Sequence, residues 1–277
     1  MKLWLLLRGE LSKLFGQKGT YVGYGVLAVL VGFVVWFMWR HGPPFARSMT
    51  RSDDFIVAGK LVSWVSVARY IMEPALLVLV PLLVATVSGG LFAGEMVRGT
   101  MRTLLCRPVR RVSVATAKYL AGWIHAISLT AFLGLFGLCL GLAVLGRGEL
   151  VTMRGGLTVL SEQVALLRLT EAYLMAALAM CAMASLATLF SQLVENPLTA
   201  MALAVGFLLV SATVGALPYF DWLKPYLLST QMDDYTGLFH AQVAFGDLSW
   251  PLGCMAVYAV VPFVVGIIIF RYRDITC

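Results

Sequence analysis

Six long runs of apolar residues, separated by shorter polar segments, dominate the pattern of the chain. Each run is long enough to cross the ~30 Å hydrocarbon core of a bilayer as a helix that rises ~1.5 Å per residue. The runs lack the alternation of a β-barrel, and in lipid a helix satisfies its own backbone hydrogen bonds. The pattern therefore predicts an all-α membrane protein with six transmembrane helices. The predicted spans are about residues 21–39, 71–92, 119–145, 170–190, 198–217 and 250–270.

An amphipathic segment precedes the first run. Its apolar residues recur at helical spacing, and its basic residues fall largely on the opposite side, with Glu10 as an exception near the apolar face. The apolar positions are Leu3, Leu7, Leu11, Leu14 and Phe15. The pattern predicts a helix over residues 2–18 that lies in the membrane interface. The alternative is a simple extension of the first span.

Composition excludes a water-soluble fold. Hydrophobic residues make up 60% of the 277 residues and charged residues 13%, with a mean hydropathy of +0.88. Soluble domains average about 25% charged residues. Because no predicted loop exceeds about 35 residues, residues 1–277 are expected to form a single membrane domain.

The distribution of basic residues predicts the orientation. Six spans put both termini on one side, and if that side is cytoplasmic, the inside segments hold twelve of the 21 lysines and arginines. Basic residues in short loops favour the cytoplasmic side, whereas acidic residues contribute little. The prediction is therefore that both termini are cytoplasmic. The net charge of +7 then lies largely at the inner membrane surface and does not require a nucleic-acid partner.

Side chains that could carry catalysis or hold a cofactor are scattered. The five cysteines contain no CxxC pair and the three histidines lie far apart, so metal and disulfide frameworks are not indicated. No GxxxxGK[ST] phosphate loop occurs, because Gly59-Lys60 is followed by Leu61. We expect no cofactor, no metal and no enzymatic activity in this chain.

Two charged pairs open predicted spans on the outer side: Arg69 with Glu73, and Arg168 with Glu171. A pair at the level of the lipid headgroups is one interpretation, and a substrate or proton site near the outer mouth is the other. His125, early in the third span, is interpreted as a packed, hydrogen-bonded side chain, with a protonatable pathway residue as the alternative.

Small residues line one side of the third and fourth spans. They are Gly134, Gly137 and Gly141 in the third, and Ala176, Ala177, Ala179, Ala182, Ala184 and Ala187 in the fourth. Such faces let helices approach closely in lipid. The pattern leaves open whether they pack within one subunit or between subunits.

The segment 94–118, between the second and third spans, is the most informative. It is far longer than a tight turn and predicts a short helix with Met101, Leu104 and Leu105 on one face, ended by Pro108. A short amphipathic helix on the cytoplasmic side suits docking of a soluble partner. The alternative is an interfacial helix held by anionic lipid headgroups.

This segment resembles the first intracellular loop of the ABC-2 type transporter permeases. In that loop a Glu, a Gly-Thr pair and a Leu-Leu pair precede an Arg/Thr-Pro-Val-Ser/Arg-Arg string. The corresponding residues here are Glu95, Gly99-Thr100, Leu104-Leu105 and Arg107-Pro108-Val109-Arg110-Arg111. Residues 8–11, 191–200 and 270–275 are similar to further parts of the family, whereas the 40–69 loop has no counterpart.

The resemblance implies a permease subunit of an ATP-driven exporter in the bacterial plasma (inner) membrane. Two such subunits, identical or different, would form the translocation path, and a separate ATP-binding subunit would act through a coupling helix between the second and third spans. The expected partners are these subunits and membrane lipids, with no nucleic acid. The implied coupling residues are Glu95, Arg98, Gly99, Thr100, Met101, Arg102, Leu104, Leu105, Arg107 and Pro108.

A second function stays open. The same features suit a membrane assembly or scaffold protein that docks a soluble partner on the 94–118 loop without any transport. Coupling to ATP hydrolysis is what separates the two functions.

Overall fold

Helices account for nearly all of the described structure. A computed structural model of the chain describes residues 3–41, 63–101, 109–152, 158–239 and 249–272. Six of its helices are long and apolar enough to cross a membrane, which confirms the predicted number. They are span 1 (Lys18–His41), span 2 (Trp64–Val97), span 3 (Arg111–Val144), span 4 (Glu162–Leu193), span 5 (Pro197–Ala216) and span 6 (Ser249–Tyr272).

Three helices begin earlier than the apolar runs predict. Spans 2, 3 and 4 start seven or eight residues before the predicted positions 71, 119 and 170. Hydropathy ends a run at its first charged residues, whereas a helix continues wherever those side chains find partners. Lys118, which lies just before the predicted third span, is part of the observed helix. It is fully buried and ion-paired to Glu10 of the N-terminal segment.

A separate N-terminal helix, Leu3–Gly16, precedes span 1. A bend at Gln17 divides the two helices, and Thr20 Oγ1 donates a 2.6 Å hydrogen bond to the carbonyl oxygen of Leu14 across it. The alternative of a continuous extension of span 1 is therefore wrong. That this helix lies in the membrane interface stays a prediction.

Span 2 is not a uniform α-helix. A π-helical turn, Ala75–Leu79, joins the α-helical segments Trp64–Pro74 and Val80–Val97. Pro74 and Pro81 flank this turn, and each lacks the N–H that a regular helical bond requires. Proline and π-turns are the usual causes of local irregularity in long helices.

Span 4 lies at the centre of the bundle, and its predicted small face packs inside the chain. Of the predicted alanines, Ala177 is half-buried and the others are buried: Ala176, Ala179, Ala182, Ala184 and Ala187. The glycines of span 3 also pack within the subunit. A Cβ added at Gly141 would lie 2.9 Å from the Trp64 carbonyl oxygen, and one at Gly134 would lie 2.9 Å from Cε1 of Tyr173. The small faces therefore serve packing within the subunit.

Short elements cover the end of the bundle that is predicted to be outside. Strands β1 (Leu150–Thr152) and β2 (Thr158–Leu160) form an antiparallel pair after span 3. After span 5 come the 3-10 turns Pro218–Phe220 and Lys224–Tyr226, the helix Leu228–Asp233 and the 3-10 helix Asp234–Phe239. Apart from the two short strands, the predicted all-α class is confirmed in the described residues.

Candidate functional site

Four charged side chains converge where the N-terminal helix meets spans 2 and 3. Glu10 and Lys13 come from the N-terminal helix, Glu95 from the last turn of span 2 and Lys118 from two turns into span 3. Lys13 Nζ lies 3.1 Å from Glu10 Oε1 and 2.9 Å from Glu95 Oε1. Lys118 Nζ lies 3.0 Å from Glu10 Oε2 and 2.9 Å from Glu95 Oε2. Each carboxylate thus bridges both ammonium groups, and we call this closed set the ion ring.

Burial makes the ion ring unlike a surface salt bridge. The Lys118 side chain is 0% exposed and those of Glu10 and Glu95 are 8% and 9% exposed, whereas Lys13 is 51% exposed. Surface pairs contribute little, but a buried charge without its partner is strongly destabilising. Two lysines and two glutamates make the ring neutral. No net charge is therefore buried with it, and three of its four side chains can be almost fully covered.

Lys118 is the most fully coordinated member of the ring. Its ammonium donates hydrogen bonds to Glu10 and to the carbonyl oxygen of Leu91, the latter at 2.9 Å. Its contact with Glu95 is a charge–charge contact without hydrogen-bond alignment. The ring of Phe92 lies 5.4 Å from the ammonium. Span 3 is therefore held to the last two turns of span 2 by one cation.

Lys13 closes the ring on its solvent side. Partial burial lowers the pKa of Lys13, but the carboxylates of Glu95 and Glu10 outweigh it, so the pKa lies above its ordinary value. Lys13 is therefore a cation throughout the physiological pH range. Among the four members of the ion ring, only Lys13 has a substantially exposed side chain.

The ring accounts for the misplaced charge in the N-terminal pattern. Glu10 lies on the apolar side of its helix because that side faces spans 2 and 3, and Lys118 of span 3 binds the carboxylate there. The same face buries Leu14 and packs Phe15 against the ring of His125. Sequence reasoning missed Glu10, Lys13 and Lys118 as site residues, although a glutamate on an apolar face was the available signal.

Some of the predicted coupling residues lie within the described structure, and others lie outside it. Glu95 is in the ion ring, and the exposed Arg98 donates from Nε to the Gly94 carbonyl oxygen at 2.8 Å. Gly99 ends span 2 with φ of +66°, a left-handed conformation that favours glycine. Thr100 Oγ1 lies 3.4 Å from the Glu95 carbonyl oxygen.

The remaining coupling residues begin with Met101, on the predicted apolar face. Met101 is 2% exposed and belongs to a core cluster of this chain, so its side chain is covered without any partner. The others lie outside the described residues: Arg102, Leu104, Leu105, Arg107 and Pro108. Their part in docking stays a prediction.

The predicted outer pairs are arranged differently from each other. Arg69 Nη1 lies 4.0 Å from Glu73 Oε2, and the buried Arg69 guanidinium also stacks 4.5 Å from the centre of the Phe239 ring. Arg168 and Glu171 lie one turn apart in span 4 and are both half-buried. A pair at the headgroup level and an outer-mouth site both stay predictions.

His125 departs from the prediction in one respect. It is buried and packed between the rings of Phe15 and Tyr24, as expected. Neither ring nitrogen has a hydrogen-bond partner among the described residues, so the hydrogen-bonded half of the prediction is wrong there. Within the same residues, no group of three His, Cys, Asp or Glu side chains is arranged to hold a metal ion.

Two comparisons place the chain among known proteins. The family described as "Protein of unknown function (DUF2705)" matches residues 25–276. The "Uncharacterized protein YhcI" of Bacillus subtilis (strain 168) is 26% identical over an alignment of 321 positions, gaps included, which covers 98% of each chain. Neither description names an activity, a substrate or a partner.

Proposed function

We propose that this chain, which belongs to the DUF2705 family, is the permease subunit of an ATP-driven exporter of the ABC type. A separate ATP-binding subunit docks on the connection between spans 2 and 3, and a second permease subunit completes the translocation path. The protein lies in the bacterial plasma membrane with both termini in the cytoplasm. The observation that carries this proposal is the position of the ion ring.

The ion ring flanks the connection on which an ATPase would act. Glu95 lies at the end of span 2, just before the connection, and Lys118 lies two turns into span 3, just after it. On the N-terminal helix, Glu95 is bound to Lys13 at 2.9 Å and Lys118 is bound to Glu10 at 3.0 Å. Glu95 and Lys118 also contact each other at 2.9 Å. A displacement of the connection is therefore passed to three helices as one unit, which supports a force-transmitting role.

Two further observations support the same proposal. The left-handed Gly99 ends span 2 where the resembled loop has its Gly-Thr pair, so the chain changes direction before the coupling segment. Large apolar side chains stay exposed on spans 1, 5 and 6, such as Val29, Val210 and Ile268. Those faces suit lipid or a second permease subunit.

The first test asks what accompanies the protein. The tagged chain is purified from its own host cells in mild detergent, the accompanying chains are identified by mass spectrometry, and ATP hydrolysis is measured with and without them. We expect an ATPase with a phosphate loop, and hydrolysis only when that subunit is present. Hydrolysis by the permease chain alone would contradict the proposal. A soluble partner without a nucleotide site would favour the scaffold function.

The predicted coupling helix gives a sharper test. Replacing Leu104 and Leu105 together by Asp should weaken ATPase association or uncouple hydrolysis from transport, because apolar anchors carry most of a docking energy. Replacing Arg110 and Arg111 by Ala is the contrasting variant, and it should perturb insertion or topology because these residues anchor span 3 at the headgroups. Detergent pull-down beside a transport assay measures both. Parent-like association and transport in the Leu104/Leu105 variant would leave only a lipid-anchored segment.

The orientation is tested by labelling in cells. In a background without native cysteines, Ser52→Cys and Asp233→Cys should react with a membrane-impermeant maleimide in intact cells. Thr103→Cys should react only after permeabilisation, because the basic residues put that connection inside. Labelling of Thr103→Cys but not Asp233→Cys in intact cells would reverse the orientation.

A further inference from the structure

A groove of about 780 Å³ opens between the second half of span 2 and the junction of the N-terminal helix with span 1. Gly16 and Gly19 lie on one wall, and Thr86, Gly90 and Gly94 lie on the other. A Cβ added at Gly16, Gly19 or Gly90 would meet no atom within 4 Å. Open space therefore lies beside these three glycines, because they carry no side chain that would fill the groove.

The groove has an apolar length and a charged end. Val87 and Leu91 line it towards the middle of span 2, and Glu10, Lys13 and Glu95 of the ion ring line it together with Arg98 at the end of span 2 that is predicted to be cytoplasmic. Its volume lies within the range of sites that bind small molecules, about 300–1,000 Å³. Its shape and polarity suit an amphiphile whose polar head lies at the charged end.

The charge that an incoming ligand meets is positive. Glu10 and Glu95 line the groove but are nearly buried, and both are already bound by the two lysines. Lys13 and Arg98 are the exposed charged residues of the lining. The hydrogen bond from Arg98 Nε to the Gly94 carbonyl oxygen, at 2.8 Å, holds this side chain against the groove wall. The accessible charge is therefore complementary to an anion.

We propose that this groove binds one anionic glycerophospholipid of the surrounding bilayer. Its phosphate group lies between the exposed cations Lys13 and Arg98, and one acyl chain follows the wall formed by Val87 and Gly90. Basic pockets between transmembrane helices on the cytoplasmic side are a recognised kind of lipid-headgroup site. The inference requires the membrane setting but not an ATPase, so it stands or falls separately from the export function.

The test uses the purified full chain in a neutral detergent, without any ATPase. Phosphatidylglycerol and phosphatidylcholine with the same acyl chains are added in turn, and thermal unfolding and native mass spectrometry measure binding. We expect phosphatidylglycerol to raise the Tm and to be retained as one molecule per chain, and phosphatidylcholine to do neither. Arg98→Gln should weaken phosphatidylglycerol binding about tenfold or more, as expected for the loss of one charge-assisted contact.

Matched variants separate this site from general lipid effects. Gly90→Phe fills the groove, whereas Gly25→Phe places the same ring in open space outside span 1, where an added Cβ also meets nothing within 4 Å. Arg271→Gln removes an exposed cation from the last turn of span 6, away from the groove. Only Gly90→Phe and Arg98→Gln should lose the retained lipid.

Three results would overturn the proposal. The first is equal binding of the two lipids to the parent chain, and the second is equal loss of binding in the control variants. The third is a change of oligomeric state in Gly90→Phe with lipid binding intact, which would assign the groove to a second copy of the chain. Arg98→Gln adds no side chain to the groove, so its effect on phosphatidylglycerol binding tests the proposal even where Gly90→Phe does not fold.

Discussion

Replacing Lys118 by Met is expected to lower the free energy of unfolding by roughly 3–5 kcal/mol, the usual cost of removing one partner from a buried ion pair. The substitution leaves Glu10 and Glu95 nearly buried and facing each other with only Lys13 between them. It also leaves the Leu91 carbonyl oxygen without the donor that Lys118 supplies. Denaturant or thermal unfolding of the purified chain in mild detergent measures the loss.

A graded series identifies the ring as the cause. Lys13→Gln should cost much less than Lys118→Met, because Lys13 is half exposed and water replaces part of what it supplies. Lys18→Met is the matched control: it removes an exposed lysine at the start of span 1, and its effect should stay within about 0.5 kcal/mol.

A double variant measures the coupling directly. Glu95→Gln combined with Lys118→Met removes one charge of each sign and leaves the Lys13–Glu10 pair intact. The combined loss should be smaller than the sum of the two single losses, because partners in one network are not additive. Additive losses, or a Lys118→Met variant as stable as Lys18→Met, would show that the ring does not hold the three helices together.

The number and type of the spans follow from the sequence because they depend on local composition. Twenty apolar residues in a row have no other stable arrangement in lipid, so the six runs predict six helices. The helix ends do not follow, because they depend on partners that are remote in the chain. Span 3 continues through Lys118 because that lysine binds Glu10, 108 residues earlier, and Glu95 of span 2.

The ion ring illustrates why the site could be predicted only in part. Glu95 was expected as a coupling residue from the resemblance to the permease loop, but its partner Lys13 is 82 residues away and no spacing rule links them. Glu10 was visible as a charge on an apolar face without any indication of what it binds. Met101 was assigned from helical periodicity to an apolar face that a partner would cover, and core residues of this chain cover it instead.

The small residues of spans 3 and 4 correctly predicted close helix packing, but not which helices pack against them. The glycines of span 3 predicted a face for close approach, and the structure supplies Trp64 of span 2 and Tyr173 of span 4 as the neighbours. Periodicity identifies a face of one helix, whereas the neighbour depends on the arrangement of the whole bundle. Gly266 in span 6 belongs to the same class of close contacts and carried no sequence signal at all.

Gly266→Ala is expected to disrupt the packing of span 6 on span 3. A Cβ at Gly266 would collide with the Tyr119 hydroxyl and would lie 2.8 Å from Cζ of the same ring. The ring cannot step aside, because Tyr119 is fully buried and its hydroxyl donates to the Pro262 carbonyl oxygen at 3.1 Å. Overpacking of this kind typically costs about 1–3 kcal/mol, which a lower unfolding temperature in detergent would register.

Gly253→Ala in the same helix provides the control for Gly266→Ala. An added Cβ at Gly253 meets nothing within 4 Å, and alanine is the better helix former by roughly 0.5–1 kcal/mol, so this variant should be neutral or slightly more stable. Tyr119→Leu combined with Gly266→Ala removes the colliding ring and should recover part of the loss, although it sacrifices the bond to Pro262. If Gly266→Ala unfolds at the same temperature as Gly253→Ala, spans 3 and 6 are not in the close contact on which this prediction depends.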